Sequence, residues 1–152
     1  MIASLGHTLA DEDDPSIPTP EKSDSAYLFT VLEYERPLAG GTRHALAGVG
    51  AVTLGRASER RARRASSTLE LRYPDGRMSS AHARITRVRG SWVLEDTGSK
   101  NGTRVGGELV EQRTLRDGDT IELGRTLLLF REDLPQCTAL DLDEAETQAL
   151  TL

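Results

Sequence analysis

The chain has 152 residues, of which 37% are hydrophobic and 28% charged, and a formal net charge of −5, as expected for one domain of ordinary size with flanking segments. Its longest apolar run, about residues 127 to 130, is far below the ~20 residues of a membrane-spanning helix, and residues 1–26 lack the basic-then-apolar order of a secretion signal. The single cysteine, Cys137, excludes an intrachain disulfide. These features predict a cytoplasmic protein.

The charges are segregated along the chain. Residues 1–26 carry six acids and one base, and residues 132–152 carry six acids and no base, so that residues 27–131 hold a net charge of +6. A basic body between acidic ends is expected to attract anionic partners, and the ends are expected to compete for the same surface.

The same three segments define the predicted domain organisation. Residues 1–26 contain three prolines and an acidic run, which predicts a disordered acidic leader. Ordered structure is predicted over residues 27–131. Residues 132–152 are predicted to be an acidic C-terminal linker or tail.

Within the body, short β-rich runs recur about every 8–12 residues, with turn signals such as Pro74-Asp75-Gly76 and Arg89-Gly90 between them. The first run, residues 27–34, is predicted to be buried on both faces, whereas residues 68–73 alternate. The basic segment 57–67 has no strand pattern and is predicted to be an exposed loop. The pattern favours an all-β sandwich or barrel, with strands predicted at 27–34, 42–46, 51–54, 68–73, 84–88, 91–95, near 103 and 109, at 120–123 and at 126–131.

Two polar loops, residues 77–84 and 94–103, are rich in Gly, Ser and Asn. Such loops present hydroxyls, amides and backbone N–H groups to external ligands. A third segment, Leu54-Gly55-Arg56, ends a predicted strand and contributes a guanidinium. Together they predict an anion-binding cup.

Four other kinds of site are not supported. Gly98-Ser99-Lys100 lacks the earlier glycine and the following helix of a phosphate-binding P-loop, and Gly48-Val49-Gly50 lacks the third glycine of a dinucleotide fingerprint. The histidines and the cysteine show no metal-ligand spacing. Ser79 or Ser80 with His82 lacks an orienting carboxylate for nucleophilic catalysis. We therefore predict no enzyme activity, no metal and no cofactor.

Five blocks, in this order and spacing, resemble the successive signatures of a forkhead-associated (FHA) domain: Leu54-Gly55-Arg56, Met78-Ser79-Ser80-Ala81-His82-Ala83, Trp92-Val93-Leu94-Glu95-Asp96, Gly98-Ser99-Lys100-Asn101-Gly102-Thr103, and Leu115 through Asp117-Gly118-Asp119 to Gly124. The resemblance covers about residues 27–131. It implies an FHA-like β-sandwich of about eleven strands that binds phosphothreonine peptides through loops at one end.

The resemblance also implies roles for individual residues. Arg56 would contact the phosphate or brace the loops around it, Ser79 would hydrogen-bond a phosphate oxygen, and Asn101 would hold the peptide backbone. Ser80 and Lys100 occupy variable positions that often add phosphate contacts. The phosphopeptide-binding set is therefore Arg56, Ser79, Ser80, Lys100 and Asn101, and Gly55, His82 and Gly102 would support the site.

Two features depart from the family pattern. Gly106-Gly107 stands where many members have an Asn-Gly pair. The basic segment 57–67 is longer than a bare sandwich needs, and it follows Arg56 directly. Either it is a solvated loop, or its arginines (Arg60, Arg61, Arg63 and Arg64) widen the positive field and favour acidic phosphopeptides.

Alternatives to a phosphothreonine-dependent signalling module remain open. The cup could serve self-association or scaffolding, filled by the chain's own or a neighbour's acidic tail, with Thr8, Thr19 or Thr147 as modified ligands. Direct DNA binding is disfavoured because no stacking platform or recognition helix accompanies the charge, and no membrane partner is expected. The order of acidic leader, FHA-like domain and acidic tail also resembles the N-terminal part of bacterial enhancer-dependent transcription activators. This resemblance implies that the chain is a fragment of a larger regulator with an ATPase and a DNA-binding region.

Overall fold

A computed structural model of the protein describes residues 26–134. They form twelve strands and one short 3-10 helix, Pro37–Ala39. The strands are β1 (Tyr27–Glu33), β2 (Thr42–Ala45), β3 (Ala51–Arg56), β4 (Arg61–Ala65), β5 (Thr68–Tyr73), β6 (Ala83–Val88), β7 (Ser91–Asp96), β8 (Thr103–Val105), β9 (Glu108–Val110), β10 (Gln112–Thr114), β11 (Thr120–Leu123) and β12 (Thr126–Arg131).

The strands form two six-stranded sheets. The first has the order β2-β1-β12-β11-β8-β9, and the second has the order β10-β7-β6-β3-β5-β4. Among the described strand pairs, β3 and β5 run parallel and the others are antiparallel. The predicted all-β sandwich is thus confirmed.

The core lies between the inner faces of the two sheets. In β5 the alternation places Leu69, Leu71 and Tyr73 in the interior, as the sequence predicted. Phe130 of β12 is fully buried in the same hydrophobic cluster. Alternating strands of this kind bury one face and leave the other to solvent, so both sheets contribute to the core.

The prediction that the first strand is buried on both faces is wrong. In β1, Leu28 and Thr30 point into the core, whereas Val31 is 47% exposed. The pairing with β12 shifts between Thr30 and Leu32, which leaves Val31 at a bulge. The run is uniformly apolar, so its composition does not reveal which face meets solvent.

The basic segment is also not a loop throughout, because residues 61–65 form the edge strand β4 against β5. Backbone pairing to the free edge of β5 forms the strand without an apolar face, and every residue of β4 is exposed. The exposure was predicted and the strand was not. β10 was likewise not predicted. The twelve strands agree with the predicted sandwich of about eleven.

The predictions for the acidic leader, the acidic tail and Cys137 concern residues 1–25 and 135–152 almost entirely, which lie outside the described residues. Between residues 26 and 134 there is no helix long and apolar enough to cross a membrane.

One buried carboxylate joins the two sheets at the end where β5 finishes. Asp75 is 3% exposed, and it follows β5 of the second sheet. Its Oδ2 accepts hydrogen bonds of 2.8 Å from the hydroxyl of Thr126, the first residue of β12 in the first sheet, and from the backbone N–H of Arg125 in the turn before it. Its Oδ1 accepts one of 2.9 Å from the N–H of Arg77. Asp75 therefore fixes the loop that continues into the predicted cup.

We predict that Asp75→Asn destabilises the fold. An asparagine keeps the shape but turns one acceptor into a donor, which must then face a donor of Arg77, Arg125 or Thr126. We expect the free energy of unfolding to fall by about 1.5–3 kcal/mol, the scale for a hydrogen bond to a charged group. Urea unfolding measures this, with Glu95→Gln on an exposed strand position as the control. Equal stability of the two variants contradicts the assignment.

Candidate functional site

The five predicted binding residues line one cleft at the end of the sandwich. The cleft has a volume of about 600 Å³, and its lining consists of Arg56, Gly76, Arg77, Met78, Ser79, Ser80, Lys100 and Asn101. These residues come from three chain segments: the end of β3, the loop between β5 and β6, and the loop between β7 and β8. The topology thus brings together the three segments that the sequence singled out.

The loop after β5 lies directly on the end of β3. The backbone N–H of Arg56 donates to the carbonyl of Ser79 at 3.0 Å, and the N–H of His82 donates to the carbonyl of Leu54 at 2.9 Å. At Gly55 a Cβ atom would overlap the carbonyl oxygen of Ser80 and press on the guanidinium of Arg72. Glycine is required here for the close approach of two backbones.

Arg72 on β5 holds the same loop from the outer face of the sheet. Its Nη1 donates to the carbonyl oxygen of Ser80, and its Nη2 lies 3.5 Å from the carboxylate of Glu70. Ser80 is therefore held at its carbonyl while its side chain remains exposed at the cleft. Sequence reasoning missed Arg72, because an arginine on the polar face of a strand carries no signal that it contacts a distant carbonyl.

His82 is fully buried and connects the two polar loops. Its Nε2 donates to the carbonyl of Gly102 at 2.8 Å, and its Nδ1 accepts from the backbone N–H of Ser79 at 3.0 Å. This pairing requires the neutral tautomer with the proton on Nε2. With both ring nitrogens engaged by backbone groups, His82 is positioned to order the loops and has no free nitrogen for a ligand.

Asp96 organises the loop between β7 and β8. Its carboxylate accepts from the backbone N–H groups of Gly98 and Ser99 at 2.9 and 2.8 Å, and from the hydroxyls of Ser99 and Thr103. Partial desolvation raises the pKa of Asp96, but the hydrogen bonds from Ser99, Thr103 and Gly98 outweigh it and hold that pKa below the ordinary value. An aspartate followed by Gly-Ser at these offsets is a recognisable Asx-turn signal that could have identified it.

The side chains that face the cleft keep free hydrogen-bonding capacity. The hydroxyl of Ser79 accepts from the N–H of Lys100 at 3.0 Å, which leaves its own proton to donate. Asn101 donates from Nδ2 to the carbonyl of Arg77 at 2.8 Å, which leaves Oδ1 and a second N–H. Within residues 26–134 the guanidinium of Arg56 and the ammonium of Lys100 have no hydrogen-bonding or ionic partner.

The electrostatics of the cleft are one-sided. Three cations, Arg56, Arg77 and Lys100, belong to its lining, and no carboxylate does. Arg77 was not among the predicted contacts, although it stands next to the predicted Ser79 loop. Cations that converge with hydroxyls and amides favour a compact anion with several acceptor oxygens.

We predict an acid-dependent loss of loop order that requires Asp96. Because the folded-state pKa is below the ordinary value of 3.8, the stabilisation by this carboxylate is complete above that value and is lost as the pH falls through the lower folded-state pKa. Asp96→Asn removes it at every pH. Urea unfolding of both proteins between pH 6 and pH 3 should therefore show a stability difference that shrinks in acid. A difference that is constant over this range contradicts the prediction.

Comparisons with known proteins agree with this architecture. The FHA domain family model matches residues 52–124. The glycogen accumulation regulator GarA of Mycolicibacterium smegmatis is 31% identical over 115 residues, which cover 64% of this chain and 73% of that protein. The FHA domain-containing protein At4g14490 of Arabidopsis thaliana is 40% identical over 58 residues, 36% of this chain, and the match spans only 15% of the length of that relative.

A solved structure described as a structural and functional analysis of phosphothreonine-dependent FHA domain interactions shares the fold. Its TM-score is 0.52 at 23% sequence identity, and the match covers 73% of this chain and 99% of the solved chain. The family match, the extent of the GarA alignment and the shared sandwich agree with the five sequence blocks. The chain belongs to the FHA domain family.

Proposed function

We propose that the cleft binds phosphothreonine peptides and that the protein is a phosphorylation-dependent interaction module without catalytic activity. FHA domains are recognition modules for phosphothreonine peptides. The observation that carries the proposal for this chain is the lining of the cleft, where three chain segments present cations, hydroxyls and a carboxamide with no opposing carboxylate.

The phosphate is assigned to the part of the cleft between Arg56, Ser79, Ser80 and Lys100. A phosphothreonine carries about −1.5 to −2 charge and three acceptor oxygens at neutral pH. The guanidinium of Arg56, which has no partner among the described residues, offers a planar fork of donors. The hydroxyls of Ser79 and Ser80 offer single donors, and Lys100 adds a positive charge. Each group donates, so together they match an ester that only accepts.

The peptide backbone is assigned to Asn101. Its Nδ2 already donates to Arg77, which fixes the plane of the carboxamide beside the Ser79 loop. The remaining N–H and Oδ1 can donate and accept at once, as a backbone amide requires. Gly55, His82 and Gly102 are assigned supporting roles, since they hold the backbone on which these contacts stand.

Selection of threonine over serine depends on contact with the γ-methyl group. One buried methyl group is worth about 0.8 kcal/mol, or roughly a fourfold difference in affinity. The phosphate contacts dominate the affinity, and the methyl contact adjusts the choice of residue.

Self-association is a second candidate that one observation favours. Residues 27–131 carry +6, whereas residues 1–26 and 132–152 carry −5 and −6. An acidic end of this or a neighbouring chain could occupy the cleft. Removing both ends should then increase the affinity for an external phosphopeptide, whereas unchanged affinity rules this candidate out.

The wider setting stays a prediction. The name of GarA describes a regulator of glycogen accumulation, and we do not transfer that role to this chain. We propose for this chain only a role in signalling. A position in front of an ATPase and DNA-binding region, a contribution to transcription regulation and a cytoplasmic location are further predictions from the sequence.

The test is a binding screen with a phosphothreonine peptide library on the full chain, followed by calorimetry on the best peptide. We expect the unmodified peptide not to bind and the phosphoserine peptide to bind several-fold more weakly. Arg56→Ala should weaken binding roughly 10- to 150-fold, the range for one lost hydrogen bond to a charged group.

The matched control is Arg89→Gln, which removes the same charge from the exposed β6–β7 turn at the opposite end of the sandwich. Its affinity should equal that of the unmodified chain. The proposal is wrong if no phosphothreonine peptide binds, or if Arg56→Ala and Arg89→Gln bind equally well.

A further inference from the structure

The strand β4 contains three arginines in five residues, Arg61, Arg63 and Arg64, and Arg60 precedes it directly. Because side chains alternate along a strand, Arg60 and Arg64 point to one side of the sheet and Arg61 and Arg63 to the other. The four charges that the sequence presents as one basic segment are therefore divided into two pairs with different surroundings.

The first pair is used within the fold. Arg60 forms an ion pair with the buried carboxylate of Glu33 and donates to the carbonyl of Gly40 at 2.8 Å. Arg64 donates to the carbonyl of Ala45 at 2.5 Å. Both side chains tie the edge of the second sheet to β1, β2 and the turn between these strands, so their guanidinium groups are engaged within the fold.

The second pair is free. Arg61 and Arg63 are exposed, and within residues 26–134 neither side chain has a hydrogen-bonding or ionic partner. Arg61 is paired in register with Arg72, and Arg72 with Gly55. Gly55 lies directly beneath the carbonyl of Ser80, to which the guanidinium of Arg72 donates.

This register fixes the distance from the proposed phosphate site. Two neighbouring strand spacings separate Arg61 from Gly55, which is about 10 Å. An extended peptide advances about 3.3–3.6 Å per residue. A ligand that places its phosphate beside Ser80 and runs across the sheet therefore reaches Arg61 about three residues from the phosphothreonine.

We propose that Arg61 and Arg63 form a second contact surface that selects acidic residues of the bound phosphopeptide, about three residues from the phosphothreonine. The inference rests on the proposed function and adds the class of partner sequence to it. The contact is electrostatic and solvent-exposed, so it raises the association rate and discriminates among phosphopeptides more than it adds to affinity.

A competing explanation is protection of the edge. Charged side chains on an edge strand oppose pairing with other chains. That role requires charge on β4 but no preference for the peptide sequence, and the experiment separates the two explanations.

The experiment measures the affinity and association rate of three forms of the full chain: unmodified, Arg61→Gln/Arg63→Gln, and the charge-matched control Arg89→Gln/Arg116→Gln. Both control residues are exposed; Arg89 lies in the β6–β7 turn and Arg116 in the β10–β11 turn, at the end of the sandwich away from the cleft. The ligands are a phosphothreonine peptide flanked by alanines and two versions with a pair of glutamates two to four residues before or after the phosphothreonine. A short DNA duplex is the fourth ligand.

We expect one glutamate peptide to bind the unmodified chain more tightly than the alanine peptide, with a rate that falls as salt rises. Arg61→Gln/Arg63→Gln should bind that glutamate peptide about 3- to 10-fold more weakly than the unmodified chain does. It should bind the alanine peptide with unchanged affinity, and its association rate should depend less on salt. The control variant should match the unmodified chain in all three measurements.

The inference is overturned if the double variant binds every peptide as tightly as the unmodified chain does. It is also overturned if the double variant loses as much affinity for the alanine peptide as for the glutamate peptides. Aggregation of the double variant with unchanged affinity assigns the arginines to edge protection. Binding of the duplex that depends on Arg61 and Arg63 more than peptide binding does also overturns it. Failure of all phosphopeptides to bind the unmodified chain rejects the proposed function itself, and the inference with it.

Discussion

The site depends on the approach of two backbones at Gly55. There the carbonyl of Ser80 lies so close to β3 that no side chain can stand between them. The hydrogen bonds from Arg56 to Ser79 and from His82 to Leu54 flank this point, one on each side. Because the loop is attached to the strand that carries Arg56, the guanidinium and the two serine hydroxyls share one rigid support. For the proposed phosphopeptide, a cleft whose backbone is held by these hydrogen bonds lowers the entropy cost of binding.

The groups behind the cleft are satisfied, whereas the groups in front of it are not. His82 uses both ring nitrogens on backbone partners, and Asp96 accepts four hydrogen bonds from its own loop. Arg56 and Lys100 have no partner within residues 26–134. Buried polar groups must be paired, and exposed cations tolerate the lack of a partner because water solvates them. This division separates residues that shape the site from residues that are free to bind.

Prediction from sequence succeeded where local chemistry determines structure. The alternation in β5, the Arg89-Gly90 turn and the ordered blocks of polar residues each carry a short-range signal. It failed where pairing alone determines structure, as in β4, which forms because β5 has a free edge. It also could not find Arg72, since that contact reaches from a strand to a loop folded back over it. The sequence identified the candidate site residues and three of their supports, Gly55, His82 and Gly102, whereas it did not identify the supports Arg72 and Asp75.

The division of the β4 arginines shows why a net charge is a poor guide to a binding surface. Counting the arginines of the basic segment suggests a single surface with four positive charges. Neutralising all four would remove the ion pair with the buried Glu33 together with the exposed charges. The resulting loss of binding could come from a disturbed sheet edge or from a weaker field. Strand alternation supplies the separation that composition lacks, because it places the structural and the free arginines on opposite faces. Only a substitution confined to Arg61 and Arg63 tests electrostatic selection by itself.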